Sequence, residues 1–361
     1  MTRWSEFDSA DWSQLEATWR SWWAGELARP LVTIATRDPG TFPPAGDDFL
    51  TRFALEQPAE QVVDYFEQQF EHVHYYGDAF PKWWVNFGAG IMAAFLGSGV
   101  EYGTGTTWFH PLPVETLAEI QPVYDPQNVW WRRVQEISCA VASRWAGKVV
   151  IGYTDLGGNL DILASLRSTE KLLLDCIESP EEVDRLTREI TALWLRYFDE
   201  FEALLPPSQH GRTAWAPPWS PSRGYMLQSD FSYMISPQMF ERYVMPDLIT
   251  CCEALDYPFY HMDGKGQLVH LDLLLSIEKL RGIQWQPGDG QPLADEWLDV
   301  LRRIRDGGKL CQVFVTLEGA LTITRELGGQ GFLFDILDQG ESISPAQVET
   351  FFDALERVSQ S

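Results

Sequence analysis

The sequence predicts an α/β protein folded as a (β/α)8 barrel of the TIM type with an elaborated N-terminal region. Three observations carry that expectation. From residue 149 onward, short apolar runs at 149–158, 224–230, 258–263, 282–285, 310–315 and 331–336 alternate with helical segments, which implies parallel βαβ units. Helix starts are marked by Ser179-Pro180-Glu181-Glu182, Ser236-Pro237 and Ser344-Pro345, a capping serine followed by proline in the first turn. Neither a Rossmann glycine fingerprint nor a P-loop occurs, so a closed barrel is favoured over an open nucleotide-binding sheet.

The elements follow in order. Residues 8–26 read as a helix with a Trp/Leu face, ended by Arg29-Pro30 before a strand at 31–36. Residues 58–76 read as an amphipathic helix with Val62, Val63, Phe66 and Phe70 on one face. The Gly/Trp-rich stretch 83–99 and WFHPLP at 108–113 read as irregular, lid-like loops. Regular βα units then occupy about 146–355, behind an N-terminal portion of about 1–145. No low-complexity linker divides the 361 residues, so one domain is expected.

Composition narrows the function. A formal charge of −25 repels phosphate backbones, which makes nucleic acid a poor partner. Sixteen Trp supply core and flat surfaces that suit sugars, rings and methylated cations. The five cysteines, Cys139, Cys176, Cys251, Cys252 and Cys311, form no C-x-x-C pair, as expected of reduced thiols in a cytoplasm. No signal-peptide pattern opens the chain, and no apolar run is long enough to cross a bilayer, so a soluble protein off the membrane is expected.

Barrel chemistry sits at the carboxyl ends of the strands. Thr154-Asp155 follow the first regular run, with Asn159 and Asp161 just beyond; Gln228 and Asp230 follow the second. His261 and Asp263 end the third, Gln284 and Trp285 the fourth, and Glu318 follows the fifth. Residues i and i+2 of a strand point the same way, so His261 and Asp263 would share the mouth. The pair reads as two metal ligands, or as an acid–base pair with Asp263 orienting the imidazole, or as a buried histidine beside a turn residue before Gly264. His270-x-Asp272 lies in a helical run and reads as packing. Asp155 and Asp161 flank Gly157-Gly158, which fits either a ligand-approaching backbone or a helix capped by Asn159. Trp84, Asn86 and His110 are lid candidates for substrate binding, and Arg223 and Lys265 are the cations nearest the strand ends.

The segments GYTDLGGNLDILASLRSTEKLLLDCIESPEEVDRL, ISPQMFERYVMPDL (Ile235 to Leu248), YHMDG and GIQWQPGDG together resemble the uroporphyrinogen decarboxylase superfamily. The resemblance spans about 149–355 and implies a (β/α)8 barrel. The decarboxylase's arginine-rich carboxylate clamp has no counterpart near residue 30, where only Arg29 and Arg37 occur, so tetrapyrrole decarboxylation is not expected. The superfamily's corrinoid-linked methyltransferases use an H-x-C zinc motif and a later Cys. His261 falls on the family His, Asp263 replaces the Cys, and 331–340 contains none. The resemblance thus implies metal-assisted methyl transfer on a small methylated substrate, with zinc or another divalent metal on His261 and Asp263. It also implies a corrinoid protein as partner and a homodimer. Besides a lyase acting on some smaller acid, two other functions remain open. One is acid–base chemistry on a carbohydrate or polyol, using Asp155, Asp230, Asp263 and Glu318 with Trp84 and Trp285 as stacking surfaces. The other is a non-catalytic small-molecule binder on the same scaffold.

Overall fold

The computed structural model describes residues 2–44, 46–103, 105–338 and 342–359. Its strands are β1 (Leu31–Arg37), β2 (Val73–Gly77), β3 (Lys82–Trp84), β4 (Gly99–Gly103), β5 (Thr106–His110), β6 (Val150–Gly152), β7 (Arg212–Thr213), β8 (Trp219–Ser220), β9 (Gly224–Gln228), β10 (Tyr257–Asp263), β11 (Gly282–Gln286), β12 (Leu310–Val315) and β13 (Phe332–Ile336). A seven-stranded sheet runs β2-β1-β13-β12-β11-β10-β9, parallel throughout except where β2 meets β1. A second sheet runs β3-β6-β7-β8, and β4 and β5 form a separate hairpin.

The fold is therefore mixed α/β with parallel sheets, as the alternating pattern predicts. Among the described residues, ladder hydrogen bonds do not close the two sheets on each other. Side chains span the gaps instead. Between β1 and the segment leading into β3, Asp78 accepts from the Val32 amide through Oδ2 (2.9 Å) and donates its own amide to the Val32 carbonyl (2.7 Å). Arg29 grips the same carboxylate with both terminal nitrogens, at 2.6 and 2.7 Å. On the other side, the Tyr225 hydroxyl of β9 accepts from the Leu156 amide (2.8 Å) and donates to the Thr154 carbonyl (3.2 Å), just beyond β6.

The N-terminal helix Ser9–Trp23 seals the amino ends of these strands. Asp8 starts it by accepting from the Ala10 and Asp11 amides. Trp12, Leu15, Trp19, Trp22 and Trp23 then fall on one buried face. They pack with Leu31, Val150, Met226, Phe259 and Leu333. Each of three indole N–H groups donates to a backbone carbonyl: Trp19 to Asp78 (3.1 Å), Trp22 to Phe332 (3.0 Å) and Trp23 to Trp219 (2.8 Å). Burying large aromatics with satisfied polar tips combines area with fixed orientation.

Three local expectations are corrected. The helix expected over 58–76 is Ala59–Phe70, because Val73–Gly77 is rich in β-favouring aromatics and pairs with β1. Residues 108–113, read as loop, begin inside strand β5, whose Thr106–His110 pairs with Gly99–Gly103. The helix following residue 159 is two, Asn159–Arg167 and Thr169–Glu178, broken at Ser168 with φ 81°. Buried Arg167 fixes that break by donating to Asp175 (2.7 Å) and to the Val114 carbonyl (3.1 Å).

Asp78→Ala leaves a buried amide and a guanidinium without their acceptor. It is expected to lower unfolding stability by about 2–4 kcal/mol, read from the urea midpoint. A loss under about 0.5 kcal/mol, the range of neutral surface changes, would show that the clasp contributes nothing.

Candidate functional site

Cross-strand partners point to the same face of a sheet, so the register assigns every side chain. Gln228 pairs with His261, His261 with Gln284, Gln284 with Gln312, Leu31 with Leu333 and Thr33 with Asp335. On this face the residue two positions earlier packs towards the tryptophan helix: Met226, Phe259, Leu310, Leu333 and Leu31. On β11 that earlier position is Gly282, and a Cβ there would lie 1.9 Å from the Phe259 ring, so only glycine admits the ring. One step along each strand, the face changes from apolar to polar: Gln228, His261, Gln284, Gln312, Asp335 and Thr33.

Three of these polar side chains, His261, Gln284 and Gln312, are chained together. His261 Nδ1 meets Gln284 Oε1, and Gln284 Nε2 donates to Gln312 Oε1. The Trp215 indole stands edge-on to the imidazole at 5.1 Å. Burial lowers the His261 pKa, with Asp263 and then Gln284 opposing it, so the ring is neutral near pH 7. With Nδ1–H directed at Gln284, the Nε2 lone pair is free to ligate, 3.9 Å from Asp263 Oδ2. Gln312 Nε2, Gln228 Oε1 and Trp215 Nε1 are buried and have no hydrogen-bond partner among the described residues. Unpaired buried polar atoms on one face mark where a ligand or water completes the set.

Asp230 joins His261 and Asp263 at the mouth. One ligand atom from each of the three lies within 4.8 Å of the other two. Zinc ligands at about 2.0–2.2 Å from the ion stand roughly 3–4 Å apart, so small carboxylate rotations would complete a nitrogen-plus-oxygen set. Local sequence makes this convergence. Gly264, at φ 84°, turns the chain directly after Asp263, and a Cβ there would lie 2.8 Å from the Tyr233 ring. Asp161 accepts from the Asp230 amide at 3.0 Å and the Phe231 amide at 2.7 Å, which fixes where Asp230 begins.

Behind them Asp155 is buried, accepts from the Gly157 amide (2.9 Å) and hydrogen-bonds Gln228. Burial pushes its pKa up to about 8 against the Gly157 hydrogen bond, with Asp230 and Asp161 adding to the rise. Burial likewise raises Asp161 and Asp230, each reinforced by a neighbouring carboxylate. The group can thus hold protons near neutral pH.

Of the sequence-derived candidates, Asp155, Asp161, Gln228, Asp230, His261, Asp263 and Gln284 come together. Trp84 and Asn86 line a neighbouring cavity of about 490 Å³, where Asn86 donates to Asp48 at 2.6 Å. Asn159 does not cap its helix; Gly158 holds that position, and the Asn159 amide donates to the Tyr243 carbonyl (3.2 Å). Others lie elsewhere. Trp285 pairs with Met262 and Val313, hence faces away from the polar ring, and packs on Trp297. Glu318 is 74% exposed and paired with Arg325. His110 is exposed and paired with Glu101. Arg223 precedes β9, at its amino end, and pairs with Asp199. Lys265 is exposed beyond β10. Sequence reading missed Lys82, Asp335, Gln312 and Thr33. The signal for the first two was present, a charge inside an otherwise apolar run, in FPKWW and GFLFDI.

The raised Asp155 pKa sets a sign. The folded state keeps a proton that the unfolded chain releases near its ordinary value, so wild-type stability falls as pH climbs from about 4 to 8. Asp155→Asn should therefore be more stable than wild type at pH 8, by on the order of a few kcal/mol, with the gap closing towards pH 4. Urea unfolding at pH 4, 6 and 8 measures it, and a pH-independent difference would refute the assignment.

No family model matches the chain, and no curated protein matches it either.

Proposed function

We propose that this chain is a metal-assisted enzyme acting on a small, polar, oxygen-bearing organic substrate, with methyl transfer as the reaction class. The observation that carries the reading is the convergence of Asp230, His261 and Asp263 within 4.8 Å, with the far nitrogen of the imidazole already engaged by Gln284. A divalent cation bound there supplies Lewis-acid polarisation of a substrate oxygen. The donor set is harder than a thiolate set, which suits zinc or another divalent ion facing an oxygen substrate.

The chain's own residues do the rest. Neutral His261 presents a lone pair, and Gln284 and Gln312 hold its ring in place. Asp161 is a positioning residue, since its two oxygens hold the backbone at Asp230 and Phe231. Asp155, protonated near neutrality, donates to the oxygen left when a methyl group departs. The methyl class itself rests on the resemblance to the uroporphyrinogen decarboxylase superfamily, which also implies a corrinoid protein as methyl carrier and a dimer.

We also take the two sheets as parts of one barrel. β1, β3, β6 and β9 to β13 then supply eight parallel strands, with Asp78 and Tyr225 spanning the gaps. Acid–base chemistry on a carbohydrate is the second reading, supported by the three proton-holding carboxyls. It ranks lower because Glu318 and Trp285, which it would use, lie away from the site.

Elemental mass spectrometry of protein purified without a His tag tests the proposal. About one equivalent of a divalent transition metal is expected after reconstitution, falling at least tenfold in His261→Ala and Asp263→Asn. Wild type that takes up no metal sinks the reading, as does equal uptake by folded variants.

A further inference from the structure

The cavity of about 490 Å³ beside the polar ring holds a lysine that the metal reading does not use. Its size suits a small molecule. Phe66, Phe70, Phe80, Trp83 and Trp84 give it an aromatic wall. Lys82 enters from β3 and donates from Nζ to the Ala216 carbonyl at 2.9 Å. A backbone carbonyl is satisfied by a neutral amine as well as by an ammonium, whereas a carboxylate would hold the extra proton on nitrogen. Asp335 faces the same space from β13, tied to the Thr33 hydroxyl at 2.6 Å, and among the described residues no direct ion pair joins it to Lys82.

The other charged groups on the cavity wall are occupied. Arg37 of β1 donates to the Gln69 carbonyl (3.2 Å) and feels Asp338. Asp47 is bound by Arg52 and Tyr65, and Asp48 by Asn86. Asp335 is thus the acid that acts on Lys82.

We propose that Lys82 is an amine nucleophile that condenses with a small aldehyde or ketone in this cavity to give an imine, with Asp335 as its proton carrier. Nitrogen attacks the carbonyl carbon, a C–N bond forms, and the π pair passes to oxygen. Asp335 protonates that oxygen and then takes the proton released by nitrogen. It returns this proton to the hydroxyl, which leaves as water while the nitrogen pair closes the C=N bond. It then takes the last N–H proton, so that the imine is neutral and Asp335 is again protonated. Carbonyl plus amine gives imine plus water, with no oxidant or reductant required.

Burial also lowers the Lys82 pKa to about 8, against a partial rise from Asp335, so a useful fraction is neutral at physiological pH. Burial raises Asp335 in turn, partly opposed by Thr33 and Lys82, which lets it carry a proton. The segment 214–218 meets both sites: Ala216 holds Lys82, while its neighbour Trp215 packs on His261. None of the imine steps uses a group at the mouth, so this chemistry needs no metal there.

Reductive trapping tests the proposal on full-length, chelator-treated protein. Wild type is incubated with pyruvate or glycolaldehyde and sodium cyanoborohydride, and adducts are located by peptide mass spectrometry. Lys82 is expected to react at least tenfold faster than exposed Lys279 or Lys171. Lys82→Met should lose that adduct while keeping its melting temperature, and Asp335→Asn should slow trapping several-fold. Acetic anhydride labelling across pH gives a substrate-independent readout, with half-maximal reactivity of Lys82 near pH 8. The proposal is overturned if both carbonyls modify Lys82 no faster than the surface lysines. Half-reactivity at the ordinary lysine value, above about pH 10, overturns it equally. Because the protein is metal-free, either result leaves the metal reading to its own test.

Discussion

The polar interior depends on the seal at the amino ends of the strands. A row of Gln, His, Asp and Thr beneath the mouth survives only where water cannot enter from behind and each polar group finds a partner. Trp19, Trp22 and Trp23 meet both demands. Their rings fill the space below Phe259 and Leu333, and their N–H groups donate to the carbonyls of Asp78, Phe332 and Trp219. Without that layer the strand ends would be open to solvent from below. The desolvation that keeps His261 neutral and Asp155 protonated would then fade.

Much of this was legible in the sequence, and the limits have physical causes. The step from apolar to polar along 258–263 marks His261 and Asp263, because strand period two is visible without a structure. Face assignment is a different matter. Gln284 and Trp285 are neighbours in sequence and point to opposite sides, which the pairing of β11 with β10 and β12 decides. Glu318 follows β12 but lies in the first turn of a helix that carries it outward. The N-terminal portion was hardest to read. β2 gains its stability by adding antiparallel to β1, a long-range pairing that local propensity does not record. A closed barrel was expected; among the described residues ladder bonds do not close the sheets, and Asp78 and Tyr225 span the gaps as single side chains that leave no periodic trace.

The chain's acidity bears on the site as well. At −25 overall, a cluster of carboxylates pays a repulsive cost whenever all are ionised. Three responses are visible in the site: burial that keeps protons on, backbone amides directed at Asp161, and a geometry open to a cation. Asp335 is the carboxylate felt by Lys82, so the protonation of this amine follows burial and that one acid. The metal and imine sites proposed above would then share one interior, with Trp215 against His261 and its neighbour Ala216 against Lys82.

The Trp22 bond to the Phe332 carbonyl joins residues 310 positions apart, and the Trp23 bond to Trp219 joins residues 196 apart. On a ribosome, the helix that seals the strands is made 310 residues before the Phe332 carbonyl that Trp22 holds. Until residue 332 has emerged, an aromatic helix whose docking surface is incomplete is exposed to other hydrophobic surfaces. Such long-range closure slows folding and lengthens the time at risk of aggregation. A chaperone over that helix, or quick translation of the remainder, would shorten the exposure.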